Sequence, residues 1–459
     1  MTKKTLRAYQ VADLARMIAE PRLIHRGEPA TGKTAPCCAL AQYVFEYEGG
    51  ATLFLQPKSI IRKNRQEMLD CTSCFELDDV IIFDPKKVHK LRKPPTVILT
   101  TADTLVRHWA SIQAIASRPI KLCLADESHL YYSSDKAKRT QFWYSVMGKV
   151  PRLVAMTGTP IRGRMDSIYP AIHLIEPRYY GSQKNFINYH ALTSFEGKVI
   201  GWTNHLKLGR ILLQHGINRT FKECYGEEKK VVIPVTLEMA PLHRKFYDKF
   251  HEMAVLELNN DEVLTATNEA VAVMRARQII AHPESLGIEG WEDEILPKDQ
   301  WLLDEITPNY NSALIFCTLV KEQERLKDLL EEQGLRVGLI NGSVSLPRRA
   351  EIDRLFQEGE LDFIVASPAT AGVGFNWQRA ECVVFVSCDY MDDNIVQAYR
   401  RAIRGVRETV LPIYVLRYSG TVEKRILQIL ETKSALAAKI DPTREALTGL
   451  YTNEDFYDV

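Results

Sequence analysis

The chain has 459 residues, is 46% hydrophobic and 25% charged, and carries a formal net charge of +1. That length supports two or three domains with separate cores, and the composition excludes a disordered or fibrous chain. Near-neutrality excludes a global field that draws the protein onto a polyanion, so any such site must be a local basic surface.

In chain order, the N-terminal Met1-Thr2-Lys3-Lys4-Thr5-Leu6-Arg7 lacks the apolar core of a signal peptide. No apolar run approaches membrane-spanning length, so the expected location is the cytoplasm. Short β-branched runs then alternate with helical stretches, the pattern of parallel α/β architecture. Strands are predicted over 22–25, 51–55, 80–83, 96–100, 120–125 and 153–156, several apolar throughout, as central strands covered on both faces should be. Residues 161 to about 230 read as mostly helical and polar. A strand at 231–238 is predicted to close the first sheet. Two amphipathic helical segments span 241–282, and 283–297 reads as a linker. A second strand series follows at 313–317, 336–340, 363–366, 382–386 and 412–417.

These elements predict an N-terminal domain over 1–240 with a helical insertion at about 163–230. A helical linker over 241–298, a second α/β domain over 299–440 and a tail over 441–459 complete the layout. The basic run from Lys86 to Lys93 reads as a solvated loop ahead of a strand. The nine cysteines fall in hydrophobic segments, as reduced buried thiols do. Cys71-Thr72-Ser73-Cys74 is a lone pair without a second at zinc spacing, so no structural metal is expected.

Gly27-Glu28-Pro29-Ala30-Thr31-Gly32-Lys33-Thr34 lies between a strand and a helix and fits a phosphate-cradling loop. Backbone amides at the helix start would hold phosphates, Lys33 would reach the β/γ oxygens, and Thr34 would bind Mg²⁺. Asp126-Glu127-Ser128-His129 follows an apolar strand, which puts its carboxylates at a strand's C-terminal end. Asp126 can hold Mg²⁺ through water, and Glu127 can orient and deprotonate the attacking water. Thr157 and Thr159 of Met156-Thr157-Gly158-Thr159-Pro160 also sit at a strand end, where hydroxyls could couple the γ-phosphate region to a second domain. Near the other end, Gln397, Arg401 and Arg404 are spaced so that both arginines share a helix face. Such a pair usually forms surface salt bridges. Opposite a phosphate loop it supplies candidate arginine fingers. Together the two regions suggest an ATP site that draws on both domains.

The order of these motifs, with Ser367-Pro368-Ala369-Thr370-Ala371-Gly372-Val373-Gly374-Phe375-Asn376-Trp377, resembles the superfamily-two helicases and translocases, and their Swi/Snf-like branch best. The likeness covers about residues 5–440. It implies two RecA-like domains in tandem, use of ATP with Mg²⁺, and DNA as partner. Arg7 and Gln10 resemble the branch's adenine-binding entry motif, with Gln10 placed to read the base. The resemblance also implies nucleic-acid contacts at Lys58, Thr101, Gly342, Ser343, Ser367 and Thr370, mainly to phosphates. Three positions depart from the family pattern: Ala30 replaces a glycine, Ser128 a smaller residue, and Trp377 an aliphatic one. Trp377 is expected in the core rather than on a base.

Within the family, duplex translocation is favoured over unwinding. The stretch 377–396 is too short for a strand, its turn and a strand-splitting hairpin, and the chain lacks the Ser-Ala-Thr motif of DEAD-box enzymes. A strand-separating or branch-migration helicase is the alternative, and a nucleotide-gated subunit of a defence or modification complex comes from another class. A single copy is expected to suffice for the core activity. The compact chain suggests a bacterial or viral source.

Overall fold

The computed structural model describes residues 5–132, 135–158, 165–253, 255–257, 263–265, 269–286, 295–371, 374–403, 405–440 and 450. The chain passes from one compact unit to a second between Glu227 and Glu228, and comes back to the first at Leu436. In the first, strands β1 (Arg22–Gly27), β2 (Ala51–Leu55), β3 (Val80–Ile82), β4 (Val97–Thr100), β5 (Ile120–Ala125) and β6 (Arg152–Thr157) lie in one sheet. Among the inserted residues, β7 (Ala191–Thr193) and β8 (Val199–Trp202) form an antiparallel hairpin, and β9 (Gly216–Arg219) returns to the main sheet. The resulting seven-stranded order is β3-β4-β2-β5-β6-β1-β9, and every pairing in it is parallel. β2 is buried at every position because helices cover both faces. The helix Thr34–Tyr43 is buried from Ala35 to Gln42, which its nearly unbroken apolar sequence requires.

The second unit contains β10 (Lys230–Leu237), the short antiparallel pair β11 (Val255–Glu257) and β12 (Val263–Thr265), then β13 (Ala313–Phe316), β14 (Val337–Ile340), β15 (Phe363–Ala366), β16 (Cys382–Phe385) and β17 (Leu411–Tyr418). Its six-stranded sheet runs β10-β17-β16-β13-β15-β14, again all parallel. The helices Pro241–Met253 and Glu269–Ala281 bury Tyr247, Phe250, Ile279 and Ile280 with Tyr418 of β17. Trp377 is fully buried and stacks on Phe375 with ring centres 4.8 Å apart, so it serves the core. Both units therefore have the RecA-like plan of a parallel sheet covered by helices.

Two expectations are corrected. The strand at 231–238 does not close the first sheet: β10 pairs with β17 along its whole length, from Lys230↔Leu411 to Leu237↔Tyr418. β10 ends the second sheet's order, so Pro234, which has no N–H to donate, is tolerated on an edge. The edge of the first sheet is taken instead by β9, inside a stretch expected to be mostly helical. Gly216 permits this approach, since an added Cβ would lie 2.4 Å from Leu212 O and 3.0 Å from Ile24 O. Among the described residues, no helix is long and apolar enough to cross a membrane.

Candidate nucleotide site and arginine turn

The phosphate loop leaves the C-terminal end of β1. Ala30 (φ 72°) and Gly32 (φ 75°) are both left-handed, an alternation that gathers successive amides into an anion cradle. For Ala30 this conformation costs about 1–2 kcal/mol. The cradle is also tight: a Cβ on Gly27 would lie 2.6 Å from Thr31 Oγ1 and 2.7 Å from Lys33 Cγ. Lys33 Nζ donates to Gly27 O at 2.7 Å and Glu28 O at 3.3 Å, which holds the ammonium over the loop. Thr34 opens the helix that follows.

Asp126 and Glu127 extend from β5, two strands from β1 in the sheet order, with β6 between them. Burial, then the Glu127 carboxylate beside it, push the Asp126 carboxyl up to about 6 against the pull of Lys33, the Glu127 amide and Asn64. Thr34, Asp126 and Glu127 are hard oxygen donors, so the set suits Mg²⁺, and a cation there would relieve the repulsion between the carboxylates. Glu127 itself is left-handed (φ 48°, ψ 47°), a strained state of the kind found at functional positions. His129 Nδ1 lies 2.8 Å from Thr157 Oγ1 at the end of β6 and 3.5 Å from Glu127 Oε2, so it joins the acidic pair to that hydroxyl. Thr159 lies outside the described residues.

Gln10 is buried, and its amide is engaged by the protein. Nε2 donates to Gly32 O at 3.0 Å, and Oε1 accepts from Arg7 N at 3.0 Å, so Gln10 ties the first helix to the loop. Arg7 lies over the Tyr225 ring at 4.6 Å. Sequence reasoning missed three neighbours. Asn64 Nδ2 donates to Asp126 Oδ2 at 3.3 Å, the Tyr131 hydroxyl bonds Asp126 O, and Tyr225 Oη donates to Ala30 O at 3.2 Å. Asn64 lies on the helix Ile61–Cys71, and only its spacing after Lys58 could have flagged it.

Lys58 and Thr101 follow β2 and β4, which are neighbours in the sheet. Thr101 Oγ1 also caps the next helix by accepting from Thr104 N at 3.3 Å. In the second unit, Gly342 and Ser343 follow β14, and Ser367 and Thr370 follow the adjacent β15. Ser343 Oγ donates to Asn341 Oδ1 at 2.6 Å, and Ser367 Oγ to Thr370 Oγ1 at 2.7 Å. An added Cβ on Gly342 meets nothing within 4 Å, so its backbone is open to a large ligand.

The shared helix face expected for the arginines is also corrected. The helix Asp392–Tyr399 carries Gln397 and ends before either arginine, with Arg400 as its C-cap. Arg401 lies in the turn beyond it and is mostly buried; Arg404 lies outside the described residues. The chain tightens there: Arg401 N donates to Ala398 O at 3.1 Å and Ala402 N to Tyr399 O at 2.9 Å. Trp377 N then takes Arg401 O at 2.8 Å, a bond that competes with continued helix.

Comparisons with known proteins agree with this plan. Residues 297–406 match the helicase conserved C-terminal domain. The chain is 21% identical over 420 residues to an uncharacterized ATP-dependent helicase of Mycoplasma pneumoniae, covering 90% of this chain and 39% of that protein. It is 22% identical over 480 residues to the transcription regulatory protein SNF2 of Saccharomyces cerevisiae, covering 95% of this chain and 28% of that one. The chain thus spans well under half the length of these relatives. The helicase domain of Pyrococcus furiosus Hef superposes with a TM-score of 0.53 at 15% identity, over 92% of this chain and 97% of that one, which shows a shared fold. Residues 20–285, more than half of the sequence, match the SNF2-related domain, and the chain belongs to that family.

Proposed function

We propose that this chain is a DNA-dependent ATP hydrolase that turns each turnover into a step along duplex DNA. The observation that carries this reading is the order of groups along the C-terminal edge of the first sheet. Thr101 and Lys58 follow β4 and β2; Asp126-Glu127 follow β5, Thr157 ends β6 and the phosphate loop leaves β1, without a gap between the two sets. The sets join where Asp126 N donates to Leu55 O at 2.8 Å, so a shift at one is passed to the other through a single strand boundary.

In this mechanism Lys33 and the loop amides bind the phosphates, and Arg7 with Gln10 holds the base side. A divalent cation held by Thr34 and Asp126 would supply charge neutralisation at the phosphate oxygens. Glu127 takes the proton of the attacking water, while His129 and Thr157 keep its carboxylate oriented. Gln397, Arg401 and Arg404 of the second unit counter the charge of the transition state. Lys58, Thr101, Gly342, Ser343, Ser367 and Thr370 hold phosphates without reading sequence, which suits movement along any DNA. A monomer suffices for this cycle. The nine free cysteines suit the reducing cytoplasm of a bacterium or an infected host cell.

ATP turnover measured with single-stranded, duplex and forked DNA and with RNA in parallel tests the reading; duplex DNA should stimulate most. Arg404→Ala should abolish that stimulation and leave ATP binding intact. Strand separation is the second reading, and one observation favours it: the β7–β8 hairpin places Phe195 fully exposed at its turn, where an aromatic ring could wedge between bases. Displacement of a triplex strand without separation of a forked duplex supports translocation, and the reverse supports unwinding.

A further inference from the structure

The turn that carries Arg401 is pinned by a buried ion pair that the hydrolysis scheme does not use. Arg400, immediately before it, has its Nε 2.7 Å from Glu228 Oε1 in an ion pair, and both side chains are under a tenth exposed. The Lys230 ammonium also pairs with Glu228 and donates to Tyr399 Oη at 2.9 Å while lying 4.9 Å from that ring's centre. A backbone bond and a side-chain bond continue the contact on the far side of the turn, where Leu411 N donates to Lys229 O at 2.9 Å and Lys229 Nζ to Glu408 O at 3.0 Å. Residues 228–230 therefore grip both the start of the turn and the start of β17 beyond it. They are also the first residues of the second unit, where the chain passes over from the first.

A buried ion pair is a weak device for stability, because well-packed apolar side chains of similar volume serve at least as well. What such a pair can supply instead is a close contact that constrains the guanidinium and the backbone attached to it. Here that backbone leads directly into Arg401, whose carbonyl is held by Trp377 N.

We propose that Glu228 is a positioning residue for Arg401: through Arg400 it sets the arginine turn, so turnover depends on an acid at the point where the chain enters its second unit. The inference rests on the reading of Arg401 as a group that acts in hydrolysis. It makes the crossing segment part of the catalytic apparatus rather than a passive tether.

The test replaces both partners in the full chain, Glu228→Leu with Arg400→Met, which removes both charges of the pair and leaves Lys230 its bond to Tyr399 Oη. Turnover at saturating ATP and duplex DNA should fall between about tenfold and a hundredfold, the cost of a small misplacement, with KM for ATP and DNA affinity within about twofold. Added to Arg401→Ala, the double change should cause no further fall in the residual rate. Wild-type turnover in the double variant, with Arg401→Ala inactive, overturns the positioning role alone. Wild-type turnover in Arg401→Ala removes the reading beneath it and the inference together. A fall that multiplies with that of Arg401→Ala also overturns it. Should the double variant fold poorly, Glu228→Asp, which keeps the charge and withdraws the carboxylate by one methylene, decides: reduced turnover at an unchanged melting temperature supports the role, and full turnover overturns it.

Discussion

The two units hold their candidate catalytic groups by different means. In the first, the functional groups sit within a few residues of the strands that present them, and the sheet's own hydrogen bonds fix them: Lys33 folds over carbonyls of its own loop, and Asp126 bonds across to β2. In the second, Arg401 stands beyond the end of a helix, in a turn fixed by a side chain far away in sequence. The buried carboxylates mirror this contrast. Burial and the Glu127 charge raise Asp126, so in the first unit the surroundings oppose the carboxylate and a cation beside it would relieve that cost. Burial also opposes ionisation of Glu228, but Arg400 and Lys230 outweigh it and hold that carboxyl below the ordinary glutamate range. One acid is held against its charge, and the other is held in its charged form by two cations.

Substitutions can break or sharpen this comparison. The largest effect is expected from Arg401→Ala, a fall of roughly 10³–10⁵ in DNA-stimulated turnover with nucleotide binding retained, read by steady-state ATPase and a fluorescent-nucleotide titration. A smaller loss would move the catalytic weight to the first unit. Glu127→Gln should cost about 10²–10⁴ in turnover while single-turnover nucleotide binding is unaffected. Asn64→Ala removes one hydrogen bond to a charged group, worth about 1.5 kcal/mol or roughly tenfold in rate, and should raise the Mg²⁺ concentration needed for half-maximal turnover.

The two acids should also respond oppositely to pH in metal-free protein. A raised aspartate leaves the native state holding more protons than the unfolded chain between its ordinary 3.8 and about 6, so its contribution to stability falls as pH rises through that window. Glu228, whose carboxyl is lowered from 4.5, contributes stability that is present above that value and is lost as pH falls below it. Melting curves should lose the first dependence in Asp126→Asn and the second in Glu228→Gln; curves of matching sign would refute the contrast. The smallest effect is expected from Ala30→Gly, which relieves a left-handed alanine and should stabilise the first unit by about 0.5–1 kcal/mol in chemical denaturation.

How far the sequence was legible follows the same division. Strand 363–366 is an uninterrupted apolar run, 51–55 and 120–125 are broken only by Thr52 and Lys121, and all three lie where that pattern puts them. The phosphate loop and the acidic pair are local in sequence, so their placement at strand ends could be read directly. β9 was hidden because Gly216-Ile217-Asn218-Arg219 has one β-branched residue and no alternation; its place comes from a glycine that lets Ile24 O approach. β10 was recognised as a strand and assigned to the wrong sheet, since periodicity carries no information about which partner a strand finds. Spacing placed Arg401 on a helix, but spacing cannot register that Trp377 captures its carbonyl or that Glu228 ties down its neighbour.

The pairing of β10 with β17 also governs the order in which this protein can be made. β9 is translated at the end of the first unit, so that sheet has all its strands as soon as Arg219 has left the ribosome. β10 follows at once but meets its sheet partner among the described residues at Leu411–Tyr418, after almost the whole second unit has been synthesised. Until then a strand of β-branched residues presents an unpaired edge, and its closure is the longest loop in the second sheet. Maturation of the nascent chain is therefore set by its last strand, and a ribosome stalled before Leu411 would expose an adhesive edge after the first sheet is complete.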